Sequence, residues 1–462
     1  MKKNILIILL CGFSSILFSQ VSMNVTLLAQ WDNDSIPDNG QGQTFNEIWG
    51  YAADGREYAI LGSAAFIHFF DITDPNEIVL LDEFAGGDTT TWRDMKTYQD
   101  RVYAVSDATQ EGLLIFDVSS LPDSITMVNQ TTEFFSRSHN IFIDEENGRL
   151  YAVGTNTMSQ GIIILDIATD PDNPIEIGRM ALPGGGYIHD IFVKDNIGYA
   201  SHGNEGFYIW DFADPDTAVL MASAVTSGYN HSNWLSEDGS FVLFAEEVPR
   251  GLPLGIMDIS DLANNSIEPV NFFKQPLLPD TTETDNTPHN PFIKGNYAYV
   301  SYYEDGLQIW DLTDPLNPVL AGYYDTFPFN NNYGGYWGCW GTYPFLPSNV
   351  VLASDRTYGL HVLSFDANPV VVSNDDLNHP TLDAHIFPNP SSGIFNIHIV
   401  NEQEQPYTFE VFDVSGKSLE RFELNQNRTQ INLTSVPSGF YFGKITMDGK
   451  VKIEKLVIDV TD

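Results

Sequence analysis

Short apolar blocks rich in Val, Ile, Phe and Tyr recur along most of the chain, separated by clusters of Gly, Pro, Asn and Asp. In several of them apolar and polar positions alternate, as in IFIDEENGRLYAVG and IFVKDNIGYASHG, where an Asn-Gly or Asp-Asn pair sits between two runs. A period of two in β-branched and aromatic residues predicts strands joined by tight hairpins. No helical pattern interrupts them.

The blocks form a repeating unit: a β run, a turn, a second β run, a Gly-containing loop, then an apolar strand ending in aspartate. These third strands read FIHFFD to Asp71, LLIFD to Asp117, IIILD to Asp166, FYIWD to Asp211, LGIMD to Asp258, LQIWD to Asp311 and LHVLS to Ser364, at spacings of 45 to 53 residues. Turns such as DITDP (71–75), DFADP (211–215) and DLTDP (311–315) follow, then a fourth strand such as PVLAGYYDT (318–326). Seven such units predict a seven-bladed β-propeller over 21–367. The last unit stops after its third strand, and NVTLLAQWD (24–32) reads as a fourth strand with no first three before it. Together they predict one closing blade built from both ends, which removes the open sheet edges.

At the start of each first strand, 22 to 27 residues before the strand end, stands a second column: Trp49-Gly50, Arg93-Asp94, His139-Asn140, His189-Asp190, His231-Ser232, His289-Asn290 and Trp340-Gly341. Such strand starts surround the channel of a propeller, on the face that carries the loops between second and third strands. This gathers Arg93, Asp94, His139, His189, Asp190, His231 and His289, and the loops add Asp107, His202, Glu246, Glu247, Glu304, Asp305, Asp355 and Arg356. These are the candidate channel-mouth residues; no catalytic residue is singled out. Imidazoles among carboxylates are a ligand set for a divalent metal (Zn, Fe or Mn), so His139, His189, His231 and His289 are candidate ligands. The plainer alternative is that each position stacks on its neighbour and satisfies backbone groups, which tryptophans in the same column favour. Aspartates of the DxTDP turns offer oxygens to Ca²⁺, although turn capping explains them more simply. The aromatic run NNNYGGYWGCWGTYP (330–344) is either a sugar platform or core.

Composition narrows the classes. The 462 residues carry 21 basic and 62 acidic side chains, a net charge of −41, which excludes nucleic acid and anionic lipid as partners. With 43% hydrophobic and 13% aromatic residues the chain is not a disordered polymer. Met1, Lys2 and Lys3 precede an apolar run from Ile5 to Phe18 that ends at Ser19 and Gln20, the pattern of a signal peptide over 1–20. No transmembrane span is predicted, since that run is too short and no later one is long enough. Without the signal, Cys339 is the only cysteine, so no internal disulfide is expected; a small hydrophobe between Trp337 and Trp340 fits it better than a nucleophile. No Ser nucleophile elbow, phosphate loop or zincin helix is present.

The third-strand pattern resembles the LVIVD-repeat propellers, and 22–366 is similar to the family called choice-of-anchor B, on HNPFIKGNYAYVSYYEDGLQIWDLTDPLNPVLAGYYDT (289–326) and GCWGTYPFLPSNVVLASDRTYGLHVLSFD (338–366). WD dipeptides occur only at Trp210-Asp211 and Trp310-Asp311 among the strand ends, so WD-repeat membership is rejected.

The Pro-, Asn- and Asp-rich segment 368–384 reads as a linker, and short alternating strands over 385–462 predict a small β-sandwich (Ig-like). This tail resembles the C-terminal sorting domain of the type IX secretion system of Bacteroidetes, on PNPSSG (Pro388, Asn389, Pro390, Gly393), the VFDVSGK turn (Gly416), LTSVPSGFYFGKI (Gly439) and the terminal EKLVI (Lys455, Leu456, Val457). The resemblance implies export through that machinery and a secreted or outer-membrane cell-surface location in a Gram-negative bacterium. The functional expectation is a binding or scaffold module with an extracellular protein or glycan ligand; the alternative is a metal-dependent hydrolase at the channel mouth.

Overall fold

A computed structural model describes residues 22–184, 186–265, 267–278, 285–328, 332–367, 382, 384–389, 391–399, 405–413, 417–447 and 450–458. The signal peptide expected over 1–20 and most of the linker expected over 368–384 lie outside them. The chain divides between Ala367 and Asn368 into two compact units. The described residues contain no α-helix, only a 3-10 turn at Leu262–Asn264, and no helix long and apolar enough to cross a membrane.

In the first unit, seven antiparallel sheets follow one another among the described residues. Their innermost strands are Phe45–Ala53, Arg93–Tyr98, Asn140–Asp144, Asp190–Lys194, Asn230–Leu235, Pro291–Lys294 and Cys339–Tyr343. Each inner strand packs on the next, and that of the seventh packs on that of the first, so the arrangement is a closed, propeller-like ring. One apolar cluster fills each seam. Between the third and fourth sheets it holds Tyr151, Ile162, Ile164, Ile191 and Trp210, and the closing seam is as well filled, by Ile48, Leu61 and Phe70 against Leu352, Leu360 and Val362. Burying these faces pairwise is what holds sheets too narrow to be stable alone.

The repeat aspartates have a local reason. Asp71, Asp117, Asp166, Asp211, Asp258 and Asp311 each accept a backbone N–H two residues on, at 2.8–2.9 Å, which closes the turn into the fourth strand. One oxygen of each thus caps its own turn. The ring is fastened from its N-terminal side: Val25–Trp31 pairs along Gly359–Phe365 as the outer strand of the seventh sheet, and Ser22–Met23 continues onto Tyr323 and Tyr324 of the sixth. Cys339 is fully buried in the seam between those two sheets.

The C-terminal unit has a three-stranded sheet (Ala384–Phe387, Ile394–Ile399, Arg428–Asn432) and a four-stranded one (Ser418–Leu424, Tyr407–Phe412, Gly439–Met447, Lys450–Ile458). Phe395, Ile397 and Ile399 of the first share one core with Phe409, Val411, Ile445 and Leu456 of the second. Leu382 and Ala384, expected in the linker, belong to that core, so the unit begins earlier than its sequence pattern suggests. Asn389 bridges to the last strand, accepting from Val457 N at 2.8 Å and donating to Lys455 O at 2.6 Å. Gly393 sits at φ +98°, where a side chain would strike the backbone of Thr434. Pro390 and Gly416 lie outside the described residues.

Candidate functional site at the channel mouth

Side chains alternate along a strand, so positions two apart share a face. Counted from the column histidine, the residues one and three places on face the channel, while Met95, Ile141 and Ile191, two places on, enter the seams. The histidine stands above them where the chain enters the strand. The result is three layers down one axis. Uppermost are His139, His189, His231, His289 and Trp340; below lie Glu47, Asp94, Asn140, Asp190, Ser232 and Asn290; lowest are Trp49, Phe142, Phe192, Trp234, Phe292 and Tyr343, with Lys96 in their register.

The first sheet departs from the expected column. Its strand carries a bulge between Phe45 and Ile48, and Glu47 occupies the carboxylate layer while Trp49 belongs to the aromatic one. Trp49 and Trp340 are therefore not equivalent. The register Asn46-Glu47-x-Trp49 matches His139-Asn140-x-Phe142 and His189-Asp190-x-Phe192; this signal was available in the sequence, but the Trp-Gly dipeptide obscures it. Gly341 leaves room for Glu47, whose Oε1 a Cβ there would meet, and Glu47 Oε2 accepts from Asn290 Nδ2 at 3.1 Å. Burial, then the Asp94 charge, pushes the Glu47 carboxyl up to about 8. Lys96 pairs with Asp94 and lies 4.4 Å from the centroid of the Trp49 ring.

Four imidazoles sit side by side, with neighbouring planes tilted by 42–59°. Ring centroids are 4.2 Å apart for His139–His189, 4.0 Å for His189–His231 and 4.5 Å for His231–His289, and Trp340 follows 4.3 Å from His289. Each Nδ1 is engaged with the next position: His189 with His231 O at 2.9 Å, His231 with His289 O at 3.1 Å, His289 with Trp340 O at 2.5 Å. A carbonyl oxygen only accepts, so these three Nδ1 atoms carry the proton and Nε2 keeps its lone pair in the neutral ring. Burial, reinforced by neighbouring imidazoles, holds His189 and His289 well below the ordinary histidine range, and burial moves His231 in the same direction. His139 instead faces Asp107, Nδ1 to Oδ2 at 2.8 Å.

Other expected residues point elsewhere. Arg93 is turned into the seam between the first and second sheets, where its guanidinium donates to Ser63 O at 2.9 Å, Gly86 O at 2.5 Å and Glu111 Oε2 at 3.1 Å. Its guanidinium ties the two sheets together, while the residue itself still borders the recess at the histidines. Of two adjacent pairs expected from the loops, alternation brings one member of each to the mouth. Glu246 is buried and accepts from Gly228 N at 2.5 Å, whereas Glu247 faces the channel. Asp355 is buried against Thr326 Oγ1 at 2.7 Å, whereas Arg356 lies 4.6 Å from the centroid of the Trp340 ring at the mouth. His202 is buried beside Tyr208 and Trp210, with ring centroids 4.3 and 6.2 Å away. Glu304 and Asp305 are likewise buried, Glu304 accepting from Gly335 N and Asp305 from Tyr333 Oη.

Above the histidines a funnel of about 450 Å³ opens, walled by Trp92, Tyr187, Tyr229, Tyr303 and Tyr336 with Gln41, Gln43, Asp107, Glu247 and Arg356 between them. Tyr336 and Trp340 of the 330–344 run face it, whereas Tyr333 is core.

Comparison with known proteins accords with this architecture. No curated protein matches the chain. Two family descriptions do: the LVIVD repeat over residues 292–326, within the sixth sheet, and the secretion system C-terminal sorting domain over 385–459. The chain thus carries an LVIVD repeat in its all-β ring and, behind it, the C-terminal domain that directs export through the type IX secretion system to the cell surface or extracellular space.

Proposed function

We propose that the protein is an extracellular binding module whose seven-bladed propeller holds its ligand in the funnel. One observation carries the reading: one recess draws residues from all around the ring, alternating tyrosine and tryptophan faces with amide, carboxylate and guanidinium groups. Aromatic faces pack on apolar ligand surfaces while the polar groups fix orientation, and this mixture suits a glycan of a few units. Glycan-array binding of the wild-type chain should fall to background in Tyr229→Ala and Tyr336→Ala, each with an unchanged melting profile. Equal binding by those variants, or none by the wild type, would remove the funnel as the glycan site.

A further inference from the structure

We propose that the foot of the funnel holds one divalent first-row transition ion, bound by His231 Nε2, His289 Nε2 and a carboxylate oxygen of Glu247. This deepens the funnel reading, since the ion sits beneath any molecule seated there. One donor atom from each of these three residues lies within 4.8 Å of the others. Ligands around an ion at about 2.1 Å stand roughly 3.4 Å apart in a tetrahedron, so the side chains need close by only about an ångström.

The orientation of each ligand is already fixed. His231 and His289 hold their rings by Nδ1–H donation to the backbone carbonyls of His289 and Trp340. Metal-bound histidines use their second nitrogen in this way, which sets the tautomer and leaves Nε2 for the ion. Glu247 Oε1 accepts from Tyr303 Oη at 2.6 Å, and this leaves Oε2 standing 3.8 Å from His231 Nε2. With its Nδ1 engaged by the His289 carbonyl, His231 turns Nε2 toward Glu247 Oε2 at that distance, too long for a hydrogen bond, and a cation between the two atoms would be ligated by both. Ring packing alone would account for the row of tilted imidazoles; it does not account for a carboxylate held by a buried tyrosine beside their Nε2 atoms.

The donor set selects the ion. Two imidazole nitrogens and one carboxylate suit Zn²⁺, Fe²⁺, Ni²⁺ or Cu²⁺, whereas Mg²⁺ and Ca²⁺ require oxygen ligands. His189, whose ring centroid is 4.0 Å from that of His231, is the next imidazole in reach. His139 is turned to Asp107, so the ligand set is narrower than all four column histidines.

The test uses the full chain after chelator treatment, with Zn²⁺ titrated by calorimetry and Co²⁺ by visible absorption. The expected result is one ion per chain, with Co²⁺ bands of low-symmetry nitrogen and oxygen ligation. Glu247→Gln should weaken Zn²⁺ by about a hundredfold, and Tyr303→Phe, which removes only the positioning bond, by about tenfold. His289→Ala should abolish binding; because it is buried, Glu247→Gln at the funnel wall serves as the variant that keeps the fold. A folded wild type that takes up no stoichiometric Zn²⁺ or Co²⁺, or an unchanged affinity in Glu247→Gln, overturns the proposal. Tyr229→Ala should retain the ion while losing glycan. The two readings therefore fail separately: glycan binding without metal removes only the ion, and metal without glycan binding removes only the glycan.

Discussion

A chain ending at Ala367, which lacks the whole C-terminal unit, should be absent from the cell surface and the medium while its propeller stays folded inside the outer membrane. The expected change is all or none. The apolar core of the C-terminal unit is drawn from its own two sheets, with Phe395, Ile397, Phe409, Val411, Ile445 and Leu456 at or below 1% exposure. The seven seams of the ring are filled by residues 25–363. Deletion therefore removes a separately packed domain and leaves each seam intact. Fractionation followed by immunoblotting reads the location, and protease resistance of the retained chain reads its fold. A single substitution gives the same answer from the other side: Leu456→Asp buries a carboxylate in the sandwich core, with a cost of several kcal/mol for a domain whose whole stability is about 5–15. Normal surface delivery of either variant would break the link between this domain and export.

The second large effect concerns the clasp. A chain beginning at Asn33, expressed without a signal, should lose roughly 10–20 °C of melting temperature or fail to stay soluble. The strand it lacks touches three sheets. Val25, 4% exposed, lies in the seam of the sixth and seventh sheets, Leu27 to Trp31 pair with Leu363 to Leu360, and the Trp31 ring packs 5.9 Å from Phe45 and 4.6 Å from Phe70 of the first. Val25 is buried and Leu27, Leu28, Ala29 and Trp31 are half-buried, so with about 1.5–3 kcal/mol for a fully buried large side chain the combined stake is several kcal/mol, a large share of total stability. Their loss also bares the edge of Gly359–Phe365, which invites pairing between molecules. A truncated chain that melts as the full one does would show that the ring closes without its N-terminal strand.

How far the sequence could be read depends on what repeated. The aspartate that ends six of the third strands recurs because one Asx turn recurs, so the repeating four-stranded sheets were legible from spacing. The clasp was legible because a fourth strand without its first three has one place to go. The tail was legible from its motifs, although Leu382 and Ala384 carry no sign of joining its core beyond being apolar. The site was harder to read. Whether a loop residue faces the funnel or the seam is settled by strand alternation across a turn, and a shift of one exchanges Glu246 for Glu247 and Asp355 for Arg356. Glu47 was hidden by a bulge that adds residues to the first strand. Arg93 stands in the histidine column by position, yet its longer side chain reaches a carboxylate and two carbonyls inside the seam, which a sequence column does not reveal.

The central claim is that His189, His231 and His289 at the axis are neutral, with Nδ1 tied to the next sheet and Nε2 open to the channel. Nitrogen NMR of ¹⁵N-histidine-labelled, chelator-treated protein at neutral pH tests it directly. His189, His231 and His289 should show a protonated Nδ1 and an unprotonated Nε2, the minority tautomer of free histidine in water, with each resonance assigned by its glutamine variant. Protonation at Nε2, whether as the common tautomer or as imidazolium, would contradict the account.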